Sequence, residues 1–133
     1  MLSYIDSRSR RTMPKILIAE DHHLTRMTMG HFLRGQGYTV ELAENGVKAI
    51  SLLKDNVFDL VISDIVMPTA NGWDIVEHVA CNAPDTPVLL MTAYPQVQPR
   101  PTQSNKTPEV ILKPVVLADV ASKIEQILAL KKQ

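Results

Sequence analysis

The chain has 133 residues, of which 45% are hydrophobic, so it is long enough for one compact domain with a substantial core and leaves little room for a second. Its 14 Lys and Arg residues balance its 14 Asp and Glu residues, so no net field draws it to nucleic acid or to an anionic membrane, and we expect neither contact. The single cysteine, Cys81, excludes an internal disulfide and is compatible with a reducing, cytoplasmic location. The longest apolar stretches are far too short for a membrane span.

The first dozen residues are rich in Ser and Arg and lack the apolar core of a secretory signal. We predict a disordered leader over residues 1–13, with Met13 as a candidate natural start and a transit peptide as the alternative. The folded domain is then expected over residues 14–133.

Five short apolar runs predict strands, because each is rich in β-branched residues and is followed by turn or charged residues. In chain order they are Lys15 to Ala19, Tyr38 to Ala43, Phe58 to Ser63, Val88 to Met91 and Val110 to Leu112. Four of these runs are followed directly by residues with a carboxylate, hydroxyl or ammonium group. These groups are Glu20 and Asp21, Asp64, Thr92, and Lys113.

Apolar residues at helical spacing predict four helices around these strands. The first has a predicted core-facing stripe of Leu24, Met27, Phe32 and Leu33, and is expected to stop at Gly35 and Gly37. The second has the stripe Val47, Ile50, Leu53 and Val57. The third is expected to be capped by Asn71 and to bury Ile75, Val76 and Val79. The last runs from Val116 to Leu130, with an inner side of Leu117, Val120, Ile124, Ile127 and Leu128.

One segment breaks the alternation of strand and helix. Residues Tyr94 to Pro108 contain four prolines, which leave little room for a regular helix of ordinary length. We predict a frayed turn or a mobile loop where a helix would otherwise stand.

Strands that alternate with helices predict a doubly wound parallel sheet, since parallel neighbours need crossover helices and both sheet faces must be covered. The carboxyl edge of that sheet would collect Glu20, Asp21, Asp64, Thr92 and Lys113. Three carboxylates in one cleft repel each other and must be neutralised by a proton, a lysine or a metal, and a hard dication such as Mg²⁺ suits oxygen ligands. A carboxylate there could act as a nucleophile toward a phosphoryl group, with the ammonium and the hydroxyl sharing the charge on its oxygens.

Together these residues resemble the receiver domain of two-component response regulators. The motifs that carry the resemblance are Glu20-Asp21, Asp64 followed by Met67-Pro68 and Asn71-Gly72, Thr92-Ala93, and Lys113-Pro114. The resemblance covers about residue 15 to the C-terminus, and it implies a flavodoxin-like, five-stranded parallel sheet of order 2-1-3-4-5, here with a degraded fourth helix.

The resemblance also implies a function and roles for individual residues. Asp64 would accept a phosphoryl group from a histidine kinase or a histidine phosphotransfer protein, and the domain would signal to an unknown downstream protein by a conformational switch. Asp21, Asp64 and the backbone carbonyl of Val66 would ligate Mg²⁺, and Glu20 would act mostly through water. Thr92 would hydrogen-bond the phosphoryl group and Lys113 would pair with it. Such a protein catalyses its own phosphorylation and dephosphorylation but turns over no external substrate. A homodimer is a further possibility.

Three departures from the family pattern stand out. The position three before the lysine, usually aromatic, is Val110, so the rotating ring of the family's switch is missing. Tyr94 is bulky and, with Val66, lies near the expected path of attacking water, so we hypothesise that this pair slows loss of the phosphoryl group. The proline-rich segment replaces much of a helix that commonly carries partner contacts, which puts the usual output surface in doubt.

Other interpretations remain open. A degenerate receiver would keep the fold and work as an unphosphorylated interaction or dimerisation module. A phosphatase resembling the haloacid dehalogenase class would use Asp64 as nucleophile, but it needs a second acid where this chain has Val66. His22 and His23 are adjacent to the acid pair and are interpreted as solvated residues rather than metal ligands. Trp73 and Cys81 are interpreted as packing or surface residues.

Overall fold

The computed structural model describes residues 13–94 and 108–131. In chain order, the elements within these residues are β1 (Lys15–Ala19), α1 (His23–Gly35), β2 (Thr39–Ala43), α2 (Gly46–Asp55), β3 (Leu60–Asp64), α3 (Gly72–Asn82), β4 (Val88–Thr92), β5 (Glu109–Leu112) and α4 (Leu117–Lys131). None of the helices in this part of the chain has the length and apolar composition of a membrane span.

The five strands form one sheet of order β2-β1-β3-β4-β5, and every neighbouring pair is parallel. The predicted doubly wound sheet and its strand order are therefore confirmed. The two edge strands are β2 and β5, so β1, β3 and β4 are covered by a neighbour on both sides. These three inner strands are also the most buried, as their near-continuous apolar sequences predict.

The core is divided by the sheet, because successive side chains of a strand point to opposite faces. On one face, Ile16 and Ile18 of β1 belong to a cluster with Leu33 of α1 and Ile124 of α4. On the other face, Leu17 and Ala19 cluster with Ala49 of α2 and with Ile75 and Val79 of α3. Burial of each such Ile or Leu side chain contributes about 1.5–3 kcal/mol, so β1 is held from both sides.

Two of the predicted helix stripes were partly wrong. In α1, Leu24 and Met27 are 73% and 44% exposed, and the buried face is formed by Met29, Gly30 and Leu33. The reason is close packing of α1 on the sheet: a Cβ at Gly30 would lie only 3.1 Å from the Leu42 side chain. Of the predicted stripe, Leu33 is buried and Phe32 packs against the core, whereas Leu24 and Met27 lie outside the contact face.

The second helix shows the same effect. Its buried positions are Gly46 and Ala49, whereas Val47 is 58% exposed. Val57 is 88% exposed and lies beyond the end of α2 at Asp55, so it belongs to no helix stripe. The predicted Ile50 and Leu53 do pack against the core, beside the buried small residues that let this helix approach the sheet.

The last two helices follow the prediction. Asn71 caps α3 through a capping box with Asp74, in which each side chain accepts the other residue's backbone N–H at 3.0 and 2.8 Å. The predicted stripe of α3 is buried: Ile75, Val76 and Val79. In α4 the buried residues are Val120, Ile124 and Leu128, with Leu117 and Ile127 packed against the same core.

Two predictions fall on parts of the chain outside the described residues. The leader predicted over residues 1–13 is described only at Met13, and the loop predicted between Tyr94 and Pro108 only at its two ends. The leader, the domain bounds 14–133 and the degraded helix between β4 and β5 stay predictions.

Candidate functional site

The carboxyl ends of four adjacent strands meet at one edge of the sheet. The register pairs Ala19 of β1 with Ser63 of β3, and Asp64 of β3 with Met91 of β4. It also pairs Thr92 of β4 with Leu112 of β5. The residues that end or directly follow these strands are Glu20, Asp64, Thr92 and Lys113. Parallel register thus delivers groups from distant parts of the sequence to one edge.

Three carboxylates converge there. Carboxylate oxygens of Glu20, Asp21 and Asp64 all lie within 4.8 Å of one another. Glu20 is fully buried and Asp64 is 8% exposed, while Asp21 is exposed. Like charges this close repel strongly in a partly desolvated cleft, so the cluster requires a counter-charge.

Lys113 supplies part of that counter-charge. Its Nζ donates to Glu20 Oε1 at 2.7 Å and to Asp64 Oδ2 at 2.8 Å. The lysine backbone N–H is itself fixed, since it donates to the carbonyl oxygen of Thr92 at 2.7 Å. One ammonium group therefore bridges the acids of two strands, and the cluster still carries more negative than positive charge.

The environment raises the pKa values of Glu20 and Lys113. Burial raises the pKa of the Glu20 carboxyl, although hydrogen bonds from Lys113 and from the His22 backbone oppose the rise. Partial burial by itself would lower the pKa of Lys113, but its hydrogen bonds to Asp64 and Glu20 outweigh this and raise it overall. The lysine is therefore charged at neutral pH, and the site keeps its cation.

The turn that carries Glu20 and Asp21 is held by a residue that sequence reasoning missed. Arg26 of α1 donates from one guanidinium nitrogen to the backbone carbonyl oxygens of Glu20 at 2.9 Å and Asp21 at 3.3 Å. The Glu20 side chain also accepts the backbone N–H of His22 at 3.1 Å. No periodicity or motif singled out an arginine five residues after the acid pair.

The loop after Asp64 is fixed by backbone contacts. The Ile65 N–H donates to the Met91 carbonyl at 2.9 Å, and the Gly72 N–H donates to the Ile65 carbonyl at 2.8 Å. A Cβ at Gly72 would lie 2.7 Å from the Asp64 carbonyl oxygen, so only glycine permits this approach. Val66, whose backbone carbonyl was predicted as a metal ligand, lies in this loop and is 55% exposed.

Thr92 ends β4 with a buried hydroxyl. The residue is 1% exposed, and its Oγ1 accepts the backbone N–H of Tyr94 at 3.0 Å. The Tyr94 side chain is half exposed. The threonine hydroxyl is thus tied to the backbone at the start of the segment that leads from β4 to β5.

Val110 stands where the family pattern has an aromatic residue, and it is only partly buried. It packs against a small cluster that contains Ile65, Trp73, Val76 and Leu90. Trp73 is 7% exposed and belongs to this packing, and Cys81 is exposed. Trp73 therefore packs in the core and Cys81 lies at the surface.

Hard oxygen ligands dominate the candidate metal site. Among the described residues, the one cluster of three or more potential ligand side chains is the Glu20, Asp21 and Asp64 set. His22 and His23 are exposed and do not belong to it, and His23 Nδ1 instead lies 3.1 Å from an Arg26 nitrogen. A carboxylate set of this kind fits Mg²⁺ better than a metal that prefers nitrogen or sulfur.

An apolar cavity of about 600 Å³ opens beside the lysine. It is formed by the start of α1 and the loop between β5 and α4, and its lining includes Leu24, Met29, Lys113, Pro114, Val115 and Leu117. The exposed Leu24, which the core does not use, therefore lies on a concave surface next to the acid cluster.

The fold and the site define a doubly wound α/β domain with an acidic, lysine-bridged cleft at the carboxyl edge of its sheet. The family model of the response regulator receiver domain matches residues 16–125. The chain belongs to this family and is a receiver domain of the two-component response regulator type.

The chain is similar to relatives that are considerably longer than it and to relatives of about its own length. The transcriptional regulatory protein CusR of Escherichia coli K12 is 31% identical over 115 residues, which are 86% of this chain and 51% of CusR. The response regulator receiver protein CpdR of Brucella abortus is 31% identical over 117 residues, which are 87% of this chain and 98% of CpdR. The chain spans about half of CusR, and 37% of another curated relative, the response regulator MprA of Mycobacterium.

A solved structure is also similar. The response regulator TrrA of Thermotoga maritima, in complex with Mg²⁺ and BeF, is 26% identical and has a TM-score of 0.75. The superposition covers 86% of this chain and 99% of that one.

Proposed function

We propose that this receiver domain accepts a phosphoryl group on Asp64 from a phosphohistidine of a histidine kinase or a histidine phosphotransfer protein. The observation that supports the proposal is the meeting of three carboxylates within 4.8 Å, two of them bridged by Lys113. An Asp64 carboxylate oxygen attacks phosphorus, a P–O bond forms, and the P–N bond to the imidazole breaks. The electron pair of that bond stays on the imidazole nitrogen, which leaves as neutral imidazole once the ring carries its proton.

The carboxylate set fits Mg²⁺, which binds oxygen ligands and keeps coordination positions for water and phosphate. Asp21, Asp64 and the backbone carbonyl of Val66 would hold the ion, and Glu20 would act through water. When bound, the ion neutralises charge on the phosphoryl oxygens during transfer. The complex of TrrA with Mg²⁺ and BeF supports this assignment for a related domain.

Lys113 and Thr92 complete the proposed site. The Lys113 ammonium, already 2.8 Å from Asp64, pairs with a phosphoryl oxygen once that carboxylate carries the phosphoryl group as an acyl phosphate. The Thr92 hydroxyl donates to another phosphoryl oxygen. Because Thr92 Oγ1 accepts the Tyr94 N–H, its movement toward the phosphoryl group would also pull the backbone at Tyr94. That coupling is the conformational switch we propose for this chain, and the small Val110 leaves the switch without a rotating ring.

The phosphodonor protein would dock on the apolar cavity beside Lys113. Leu24 and Val116 flank this region with 73% and 59% exposure, and burial of such side chains favours a helical partner that presents its own apolar face. Docking there brings the partner's phosphohistidine to the edge that carries Asp64. The similar protein CusR is named a transcriptional regulatory protein. The prediction that nucleic acid is not contacted therefore applies only to the 133 residues of this chain, and it stays a prediction.

The test is incubation of the purified chain with acetyl phosphate and Mg²⁺, followed by intact mass measurement. Wild type is expected to gain the mass of one phosphoryl group, and Asp64→Ala is expected to gain none. Asp59→Asn is the matched control, because Asp59 is a buried acid that directly precedes β3, at the end opposite Asp64. Its carboxylate accepts the Lys15 backbone N–H, a role that an asparagine oxygen can keep.

Two results would contradict the proposal. A wild-type chain that gains no phosphoryl mass with Mg²⁺ would instead be a degenerate receiver that acts through binding. Equal labelling of Asp64→Ala would place the phosphoryl group on another residue. Omission of Mg²⁺ or addition of EDTA is expected to suppress labelling of wild type and of Asp59→Asn alike.

A further inference from the structure

The two-acid turn between β1 and α1 is held by one guanidinium group. A single nitrogen of Arg26 contacts two consecutive carbonyl oxygens, those of Glu20 at 2.9 Å and Asp21 at 3.3 Å. The second terminal nitrogen lies 3.1 Å from His23 Nδ1. Arg26 is itself half-buried in α1, so the group that holds the turn is anchored in a rigid element.

The other contacts of the turn hold Glu20 and not Asp21, among them the Glu20 N–H, which donates to the Ala43 carbonyl oxygen at 3.0 Å. The N-cap residue of α1, His22, makes no side-chain capping hydrogen bond, and no acid lies in the first turn of this helix. Glu20 is tied by Lys113 and by the His22 N–H. Within the described residues, the structure gives the Asp21 carboxylate neither an ion pair nor a hydrogen bond.

Repulsion acts on this loosely held residue. Its carboxylate lies within 4.8 Å of those of Glu20 and Asp64, and it is the exposed member of the three. Without a restraint on its backbone, Asp21 would relax away from the other two acids, because water can solvate it elsewhere. A metal ion would then have to bring the turn back before all its ligands were in place.

We propose that Arg26 is a positioning residue that preorganises Asp21 for the metal, through the backbone of the turn rather than by contact with the ion. This inference rests on the proposed function, in which Asp21 and Asp64 hold Mg²⁺. Charge-assisted hydrogen bonds to two neighbouring carbonyls restrict the backbone on either side of the Asp21 Cα. Groups that orient metal ligands from outside typically change metal affinity by about 10-fold or more.

The test is a Mg²⁺ titration followed by amide chemical shifts, combined with thermal unfolding in EDTA. Arg26→Ala is expected to raise the Kd for Mg²⁺ by about 10-fold, with the largest metal-free shift changes at Glu20 and Asp21. Arg26→Lys keeps the charge and one donor group but not the planar fork, so its Kd is expected between those of wild type and Arg26→Ala.

Arg34→Ala is the matched control. Arg34 lies on the same helix and donates to the Val40 carbonyl oxygen at 2.9 Å, so its loss also removes a guanidinium contact with backbone. Both alanine variants are expected to unfold at a lower temperature, but Arg34→Ala keeps the wild-type Kd for Mg²⁺. A role of Arg26 in stability alone would lower the unfolding temperature and leave the Kd unchanged.

The outcomes distinguish the role of Arg26 from the existence of the metal site. A Kd for Arg26→Ala within two-fold of wild type, or an equal change in Arg34→Ala, overturns the role of Arg26 and leaves the metal site in place. Absence of Mg²⁺ binding by wild type overturns the proposed function itself. Should Arg26→Ala fail to fold, Arg26→Lys decides alone: an unchanged Kd refutes the inference and a raised Kd supports it.

Discussion

Removal of the ammonium group of Lys113 is expected to destabilise the fold and to make its stability depend on pH. In Lys113→Ala the carboxylates of Glu20 and Asp64 lose the donor that lies 2.7 and 2.8 Å from them. The side chain of Glu20 is fully buried and that of Asp64 is 11% exposed, so water can replace the ammonium only in part. The variant therefore leaves buried negative charge without its cation.

The size of the effect follows from burial. Removal of one partner from a fully buried ion pair costs about 3–5 kcal/mol. The Lys113 side chain is 22% exposed, so we expect a smaller loss in the free energy of unfolding, about 2–3 kcal/mol at neutral pH. For a domain of this size that loss lowers Tm by roughly 8–12 °C.

The pH dependence has a definite sign. Burial already holds the pKa of Glu20 above its ordinary value, so the folded state binds this proton more tightly than the unfolded state does. A raised folded-state pKa gives a contribution to stability that is present below the unfolded-state pKa and is lost as the pH rises through the folded-state pKa. Loss of Lys113 removes the ammonium group that lowers the Glu20 pKa, so Glu20 of the variant takes up its proton at a higher pH. The loss in free energy of unfolding should therefore shrink as the pH falls from neutral to about 5.

The assay is urea unfolding of wild type and variant at several pH values, without metal. Lys123→Ala is the matched control, because Lys123 pairs with Glu109 at 2.5 Å on the surface, where the two side chains are 31% and 47% exposed. We expect this control to lose no more than about 0.5 kcal/mol. Equal stability of Lys113→Ala and Lys123→Ala, or a deficit that grows as the pH falls, would refute the reasoning.

Two further predictions concern the loops around the site. Gly72→Ala would place a methyl group 2.7 Å from the Asp64 backbone carbonyl, so we expect a loss of more than about 1 kcal/mol in urea unfolding, whereas Gly35→Ala, with no atom within 4 Å of the added Cβ, should be neutral or slightly stabilising. Nearly equal values for the two glycine variants would contradict the close packing at Gly72. Tyr94 and Val66 are half-exposed and follow Thr92 and Asp64 by two residues, so Tyr94→Ala and Val66→Asn are expected to lose phosphate faster than wild type, as measured by the decay of the phosphorylated mass after removal of the donor. Decay rates equal to that of wild type would show that neither side chain obstructs water.

Much of the fold was readable from the chain because its signals are local. The runs that became β1, β3 and β4 are apolar on both faces, as strands at the centre of a parallel sheet must be. Asn71 followed by Asp74 is a capping pattern that specifies the start of α3 without reference to the rest of the molecule. Parallel topology then brings the groups after these strands to one edge, which is why the acids and Lys113 could be grouped in advance.

The contact faces of the helices were not readable in the same way. Leu24 and Val47 carry apolar side chains but are exposed, whereas Gly30 and Gly46 are buried. A Cβ at Gly46 would lie 2.0 Å from the carbonyl oxygen of Ala70, so this helix start touches the loop after β3. How near two layers approach depends on all the side chains between them, and residue type alone does not contain that distance.

The sequence by itself predicted the order of the elements, a parallel sheet and the polar groups at its carboxyl edge, because periodicity, caps and strand ends are properties of short segments. Only the tertiary structure decided which apolar residues are buried, that one ammonium bridges Glu20 and Asp64, and that Arg26 holds the turn before α1. The first two features depend on distances between residues that are remote in sequence. The third depends on the rotamer that the Arg26 side chain adopts. Such distances are set when the whole core packs, not by any segment alone.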